Sequence, residues 1–212
     1  MDPLIVCVCL AHVNPDFTER AKRSFYSQNY ERKHLLLVHT EKSTLTIGAN
    51  RNTIMEASPP CSYFAHWDYD DVSAPDRLSL QYAHIQKTGK LLTGFYEMAM
   101  HDVKNDKTWV YSNEDHRYAL GTSLFYRREA WEFAKFPDAT PEDNKWRKEI
   151  GYDNCESMSG FRADGSPIMV QTVHGGNASA GIYPSSHRYK TATAEQERAV
   201  RELLNGTAVR NL

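Results

Sequence analysis

Asp68-Tyr69-Asp70-Asp71 places three carboxylates within four residues. In an extended segment side chains alternate, so Asp68 and Asp70 would share a side. Carboxylates on one side repel unless a cation stands between them or one takes a proton. A hard divalent ion, Mn2+ or Mg2+, takes oxygen ligands and bridges to phosphates. There it stabilises a departing anion as a Lewis acid. A solvated acidic turn capping the next helix has the same composition.

Other residues gain meaning only if the fold carries them to this cluster. His174 precedes Gly175-Gly176-Asn177. Neutral imidazole is a common metal ligand, and two glycines let backbone pass close to a bound group. A lone histidine is otherwise an ordinary packed or surface residue. Gly48-Ala49-Asn50-Arg51-Asn52 opens a helical stretch. Its backbone N–H groups and the Arg51 guanidinium can face an anion, although a plain helix start reads the same way. Glu142-Asp143 offers a carboxylate to take a proton from an acceptor hydroxyl, with Asp153 as a competitor. Acidic pairs at helix starts also simply compensate the helix dipole.

The elements that must position these groups follow from hydrophobic pattern. Residues 4–10 are continuously apolar, as in a strand buried on both faces of a parallel sheet. Asn14-Pro15-Asp16 breaks that run and starts a helix with Phe17, Ala21, Ser24, Phe25 and Gln28 on one stripe. Residues 34–38 read as a second buried strand, 48–57 as a second helix stopped by Pro59-Pro60, and 61–65 as a third strand. This β-α-β-α-β order argues a doubly wound α/β sheet. Ligands bind beyond the carboxyl ends of such strands, where the acidic cluster falls. Further on, the pattern predicts a helix over 75–87 with Pro75 in its first turn. Strands follow over 91–100 and 108–111 around a turn at Lys104-Asn105-Asp106, and another over 122–126. A short helix over 128–134, a strand over 168–173 and an amphipathic helix over 194–204 complete the pattern. The polar stretch 137–165 has no readable period.

The bulk numbers bound the class. The chain has 212 residues, 41% hydrophobic and 25% charged, as in one ordinary globular domain. A net charge of -2 does not favour a broad electrostatic grip on nucleic acid. Cys7, Cys9, Cys61 and Cys155 form no C-x-x-C pair, which argues against structural zinc and for a reducing compartment. No basic leader or membrane-length apolar stretch is evident, so a cytoplasmic protein without an integral membrane segment is expected. Sequons at Asn177 and Asn205 carry little weight without a secretory signal.

Taken together, these stretches resemble the family 2 glycosyltransferases of GT-A fold. The matching pieces run in the family's order: residues 5–10 with Asn14-Pro15; Gly48 to Asn52; residues 65–71 with Pro75-Asp76-Arg77-Leu78; residues 121–131; Phe136-Pro137-Asp138 with Glu142-Asp143; and Val173-His174-Gly175-Gly176-Asn177. They span roughly residues 4–179. The resemblance implies a Rossmann-like, mixed but mostly parallel sheet with helices on both faces. It implies one domain over 1–212, with a nucleotide-sugar-binding part over about 1–100, an acceptor and catalytic part over about 101–190, and a C-terminal helix over about 193–205.

It also implies a UDP- or GDP-sugar donor and a Mn2+ or Mg2+ cofactor. Asp70 would be the leading metal ligand, with Asp68, Asp71 and His174 beside it, and Asp68 would alternatively serve the ribose. Asn14, Glu41, Asn50 and Arg51 would contact the donor. Asp143, paired with Glu142, would be the base of an inverting displacement at the anomeric carbon. The sequence departs from the family after the second strand, where His39-Thr40-Glu41-Lys42-Ser43 replaces the usual acidic pair and glycine, leaving the nucleotide open. The acceptor is open too: polysaccharide, lipid-linked sugar, protein and modified nucleic acid all remain. One rival, a nucleotidyltransferase, wants a Gly-rich basic loop after the first strand, and Ala11 to Asp16 has neither glycine nor Lys or Arg. A non-catalytic nucleotide-sugar or glycan-binding module would keep the fold without the base.

Overall fold

The computed structural model describes residues 2–12, 14–177, 182 and 184–206. The chain begins with β1 (Ile5–Ala11), α1 (Pro15–Tyr26), β2 (Lys33–His39), α2 (Ile47–Glu56) and β3 (Tyr63–His66). Asn14 caps α1, its side-chain oxygen accepting from Asp16 N and Phe17 N. Thr46 caps α2 by accepting from Ala49 N. Next come β4 (Val72–Ser73), α3 (Arg77–Thr88), β5 (Leu92–Thr93), β6 (Phe95–Asp102) and β7 (Lys107–Ser112). A 3-10 turn, Gly121–Ser123, leads into β8 (Phe125–Arg127), α4 (Arg128–Phe133) and α5 (Glu142–Ile150). A second 3-10 turn, Tyr152–Asn154, precedes β9 (Met158–Ser159), β10 (Met169–Val173), β11 (Tyr189–Thr191) and α6 (Ala194–Gly206).

Two sheets result. The first has the order β2-β1-β3-β8-β5 and the second β11-β7-β6-β10-β4, with β9 alongside β6. β1 is apolar all through because both its faces are covered. Val6 and Val8 pack against Ile54 and Met55 of α2, Trp131 of α4 and Trp146 of α5. Ile5, Cys7 and Cys9 pack against Ala21 and Phe25 of α1 and Leu78 and Ile85 of α3. Each such fully buried aliphatic or aromatic side chain stabilises the fold by roughly 1.5–3 kcal/mol. In the second sheet α6 lays Val200 and Leu203 against Ala99 and Val170.

The architecture is the expected α/β one, but the sheets are mixed rather than mostly parallel. β2, β1 and β3 run parallel, while β8 runs antiparallel to both β3 and β5. In the second sheet only β10 and β9 run parallel to β6. The division into two sheets is visible at Gly94. The single strand expected over 91–100 breaks there, and the chain crosses from one sheet into the other. Phe95 N donates to Ser123 Oγ at 2.8 Å, pinning the crossing. A Cβ on Gly94 would stand 2.7 Å from Ala119 Cβ and 2.9 Å from Ser123 Oγ.

Smaller expectations also shift. β2 is an edge strand and only half-buried, not a second fully buried one. Pro75 lies outside α3, whose first residue is Arg77, and Asp76 is engaged by Arg162. Helix α5 hides in the polar stretch because its buried positions include Glu142 and Arg147 beside Trp146 and Ile150.

Gly94→Ala should therefore lower stability by about 1–3 kcal/mol through overpacking at the crossing. Urea unfolding checks this, and an unchanged midpoint would contradict it.

Candidate active site

The carboxyl ends of β1, β2 and β3 share one edge, and the acidic segment leaves β3 at that edge. It is a tight turn, with Asp71 N donating to Asp68 O at 3.3 Å, rather than an extended run. The three carboxylates consequently go to different partners.

Asp71 is buried. Its Oδ1 accepts from Thr172 N of β10 at 2.9 Å, and its Oδ2 accepts from the Thr122 hydroxyl. Burial, then the charges of Asp70 and Asp68, push its pKa well above the usual carboxylate range. Asp70 Oδ2 lies 2.9 Å from His174 Nε2 and accepts from Asn177 Nδ2 at 3.0 Å. Burial first, then Asp68, raises the Asp70 pKa, and His174 opposes them. Phe17 and Tyr69 flank the His174 ring at 5.0 and 6.5 Å between centroids. Arg20, over the Phe17 ring, donates to the Asp70 carbonyl at 2.8 Å and to Thr172 Oγ1 at 2.9 Å. Asp68 turns the other way and pairs with Arg51 at 3.5 Å.

The expected four-residue metal shell is thus not gathered. Asp71 is tied inward and Asp68 belongs to Arg51. Among the described residues no three His, Cys, Asp or Glu side chains converge as a metal-holding group. The Asp70–His174 pair nevertheless fits an ion. Two neighbouring ligands at about 2.1 Å from an octahedral centre stand about 3 Å apart, and Mg2+-type sites commonly use one or two carboxylates plus substrate phosphate and water.

The second group centres on α5. Arg51, buried on α2, forms an ion pair with Glu142 and reaches Asp68 with its other nitrogen. Burial raises the Glu142 pKa while Arg51 opposes it. Glu142, expected to share the catalytic role, is therefore committed to Arg51. Asp143 is half-buried against Gly121, where a Cβ would overlap its carboxylate and stand 2.7 Å from its Cγ. Gly121 O accepts from His66 Nδ1 at 2.7 Å. His66 is fully buried, and burial followed by Arg51 holds its pKa well below the ordinary imidazole value. Asp153, the competing base, is 96% exposed on the turn after α5, beside Arg117.

The expected donor contacts fare unevenly. Asn14 is occupied as the cap of α1. Asn50 braces the loop before α2, accepting from Ser43 Oγ at 2.9 Å and donating to Leu45 O at 3.1 Å. Arg51 is engaged by Asp68 and Glu142, so residues 48–52 tie α2 to the acidic turn and to α5. Glu41 lines a cavity of about 280 Å³ with His12, Pro15, Lys22, Leu37 and His39, at the carboxyl ends of β1 and β2. A cavity of about 290 Å³ beside Pro3, Tyr63 and Arg127 contains none of the groups above and lies away from this edge.

Sequence reasoning missed Arg20, His66, Thr122 and Thr172. Arg20 sits three residues after Phe17 on α1 and looks like any surface arginine. The threonines have no sequence signal beyond lying within predicted strands.

By sequence alone, no family model matches the chain and no curated protein matches it. By structure it matches GT-A glycosyltransferases. One is S. aureus TarS residues 1–349 in complex with UDP-GlcNAc, at TM-score 0.62 and 13% identity, covering 85% of this chain and 62% of that one. Another is the mannosyltransferase PcManGT from Pyrobaculum calidifontis, in complex with GDP-Man and Mn2+, at TM-score 0.59 and 12% identity, covering 82% and 57%. The chain thus spans about three-fifths of these two structures. At such identity the match establishes the fold.

The Arg51–Glu142 pair yields a stability prediction. Removing one partner leaves a buried charge uncompensated, so Arg51→Ala should cost about 3–5 kcal/mol. Arg51→Ala with Glu142→Gln should recover a good part of that. A double-mutant cycle in urea measures the coupling, and additive losses would contradict it.

Proposed function

We propose that this chain is a metal-dependent glycosyltransferase that moves a sugar from a UDP- or GDP-sugar to an acceptor hydroxyl with inversion. The carrying observation is the Gly121–Thr122 turn, which sits between the two reacting halves. Thr122 holds Asp71, next to Asp70, and Gly121 lies against Asp143. The fold adds support, since structural relatives bind UDP-GlcNAc and GDP-Man.

Asp70 and His174 would hold Mn2+ or Mg2+, which supplies a Lewis acid for the leaving diphosphate. Arg20 and Asn177 fix Asp70, one through its carbonyl and the other through its carboxylate. Asp68, oriented by Arg51, is free on its outer side to accept from a ribose hydroxyl. Glu41 and the cavity between β1 and β2 suit the base. Asp143 takes the proton of the acceptor hydroxyl as that oxygen bonds to the anomeric carbon. The bond from that carbon to the diphosphate oxygen breaks in the same step, so the configuration inverts.

The donor part is assigned to about residues 1–100 and the acceptor part to about 101–190, with α6 as the C-terminal helix. Among the described residues no helix is long and apolar enough to cross a membrane. Four free thiols, three of them buried, suit a reducing compartment such as the cytoplasm.

Asp143→Asn should lower kcat for Mn2+-dependent donor turnover by about 10²–10⁴-fold while sparing donor affinity. Undiminished turnover would remove Asp143 as base, and no turnover by the wild type would favour a binding module. Calorimetry checks the metal pair separately. Asp70→Ala should abolish measurable Mn2+ binding and His174→Ala should weaken it. Unchanged affinity in His174→Ala would take that histidine out of the shell.

A further inference from the structure

His66 ends β3 inside an aromatic cluster and is fully buried. Its ring lies 5.6 Å from that of Tyr126 and 5.5 Å from that of Phe136, between centroids. An apolar side chain would fill this space without carrying polar atoms into it. The imidazole is instead half-satisfied, since buried Nε2 has no hydrogen-bond partner among the described residues. Leaving a buried polar atom unpaired is costly, so the other nitrogen must do something useful. Nδ1–H donates to Gly121 O at 2.7 Å. That bond fixes the tautomer, because a carbonyl only accepts.

Gly121 is the floor under Asp143. The carboxylate rests so close to the Gly121 Cα that a Cβ there would overlap it. The rest of the turn is held separately: Thr122 donates to Asp71, and Ser123 accepts from Phe95 N and Gln81 Nε2, each at 2.8 Å. Two further contacts are longer. Leu124 N donates to Gly121 O at 3.3 Å, and Arg77 Nη2 approaches Thr122 O at 3.4 Å. Of the two bonds that Gly121 O accepts among the described residues, the one from His66 is the shorter and comes from a strand.

We infer that His66 is a positioning residue for Asp143, acting through the Gly121 carbonyl to fix the height of the turn on which the carboxylate rests. This rests on Asp143 being the base. A base must be held to a fraction of an ångström, because a displacement near 1 Å costs about 100-fold in rate. His66 touches no substrate, so its loss should change the chemical step and spare binding.

The test compares His66→Leu, which removes the donor, with His66→Asn, whose amide nitrogen can take the place of Nδ1. The assay is Mn2+-dependent turnover of UDP-GlcNAc or GDP-mannose, whichever the wild type consumes. His66→Leu should lower kcat by about 10–100-fold with donor KM within about twofold, and His66→Asn should return kcat to within about threefold of wild type. His66→Gln, whose amide nitrogen sits where Nε2 was, should behave like the leucine variant and covers the case in which that one fails to fold. Wild-type kcat in His66→Leu, or equal impairment in the Leu and Asn variants, would overturn the inference. A second readout is independent of turnover. The carboxyl carbon-13 resonance of Asp143 should move in His66→Leu and stay in place in His66→Asn. If it stays in both, the inference fails. If it moves while Asp143→Asn keeps full kcat, the positioning stands and the base assignment fails.

Discussion

A carboxylate buried between two sheets holds the site together. Asp71 accepts from the backbone of β10 on one side and from Thr122, in the turn before β8, on the other. Few groups are more expensive to bury than a carboxylate, and hydrogen bonds are what make it tolerable. The acidic turn cannot move without breaking one of them. Asp70 on one side of Asp71 is thereby aimed at His174, a residue 104 positions further along the chain. Through Thr122 the same anchor reaches Gly121 and the floor under Asp143.

This explains why the three aspartates do different jobs. A turn of this tightness sends neighbouring side chains to separate partners, so a short acidic cluster need not act as one ligand set. Asp71 sets position, Asp70 meets the imidazole, and Asp68 meets Arg51. The Arg51–Glu142 pair performs a similar task between α2 and α5. It sets where α5 begins, and so where Asp143 stands. The site is assembled by buried polar contacts between elements that the apolar core has already packed. The core alone would leave their register loose.

How far the sequence could be read follows from the same physics. The first strand was legible because a continuous apolar run has few other uses. The place of His174 was legible once a strand was seen to end there. The division into two sheets was not, because the crossing at Gly94 shows in the sequence only as one glycine inside an apolar run. Helix α5 escaped notice because it buries an ion-paired glutamate and an arginine where a reader looks for leucines. The protein partners of Asn14, Asn50 and Arg51 were hidden for a related reason. Residue type reveals what a side chain can bind, while only geometry shows that a helix cap or a buried partner has already taken it. Asp143 and Asp153 were indistinguishable in the sequence, and the structure separates them by putting one against Gly121 and the other in solvent.

The central claim is that Asp70 and His174 hold one divalent ion that a nucleoside diphosphate completes. Pulsed electron paramagnetic resonance on Mn2+ bound with UDP or GDP, using protein labelled with nitrogen-15 histidine, reads both halves at once. The account predicts nitrogen-15 coupling from one imidazole, lost in His174→Ala, together with phosphorus coupling from the nucleotide. Phosphorus coupling with no histidine nitrogen in the wild-type protein would contradict it.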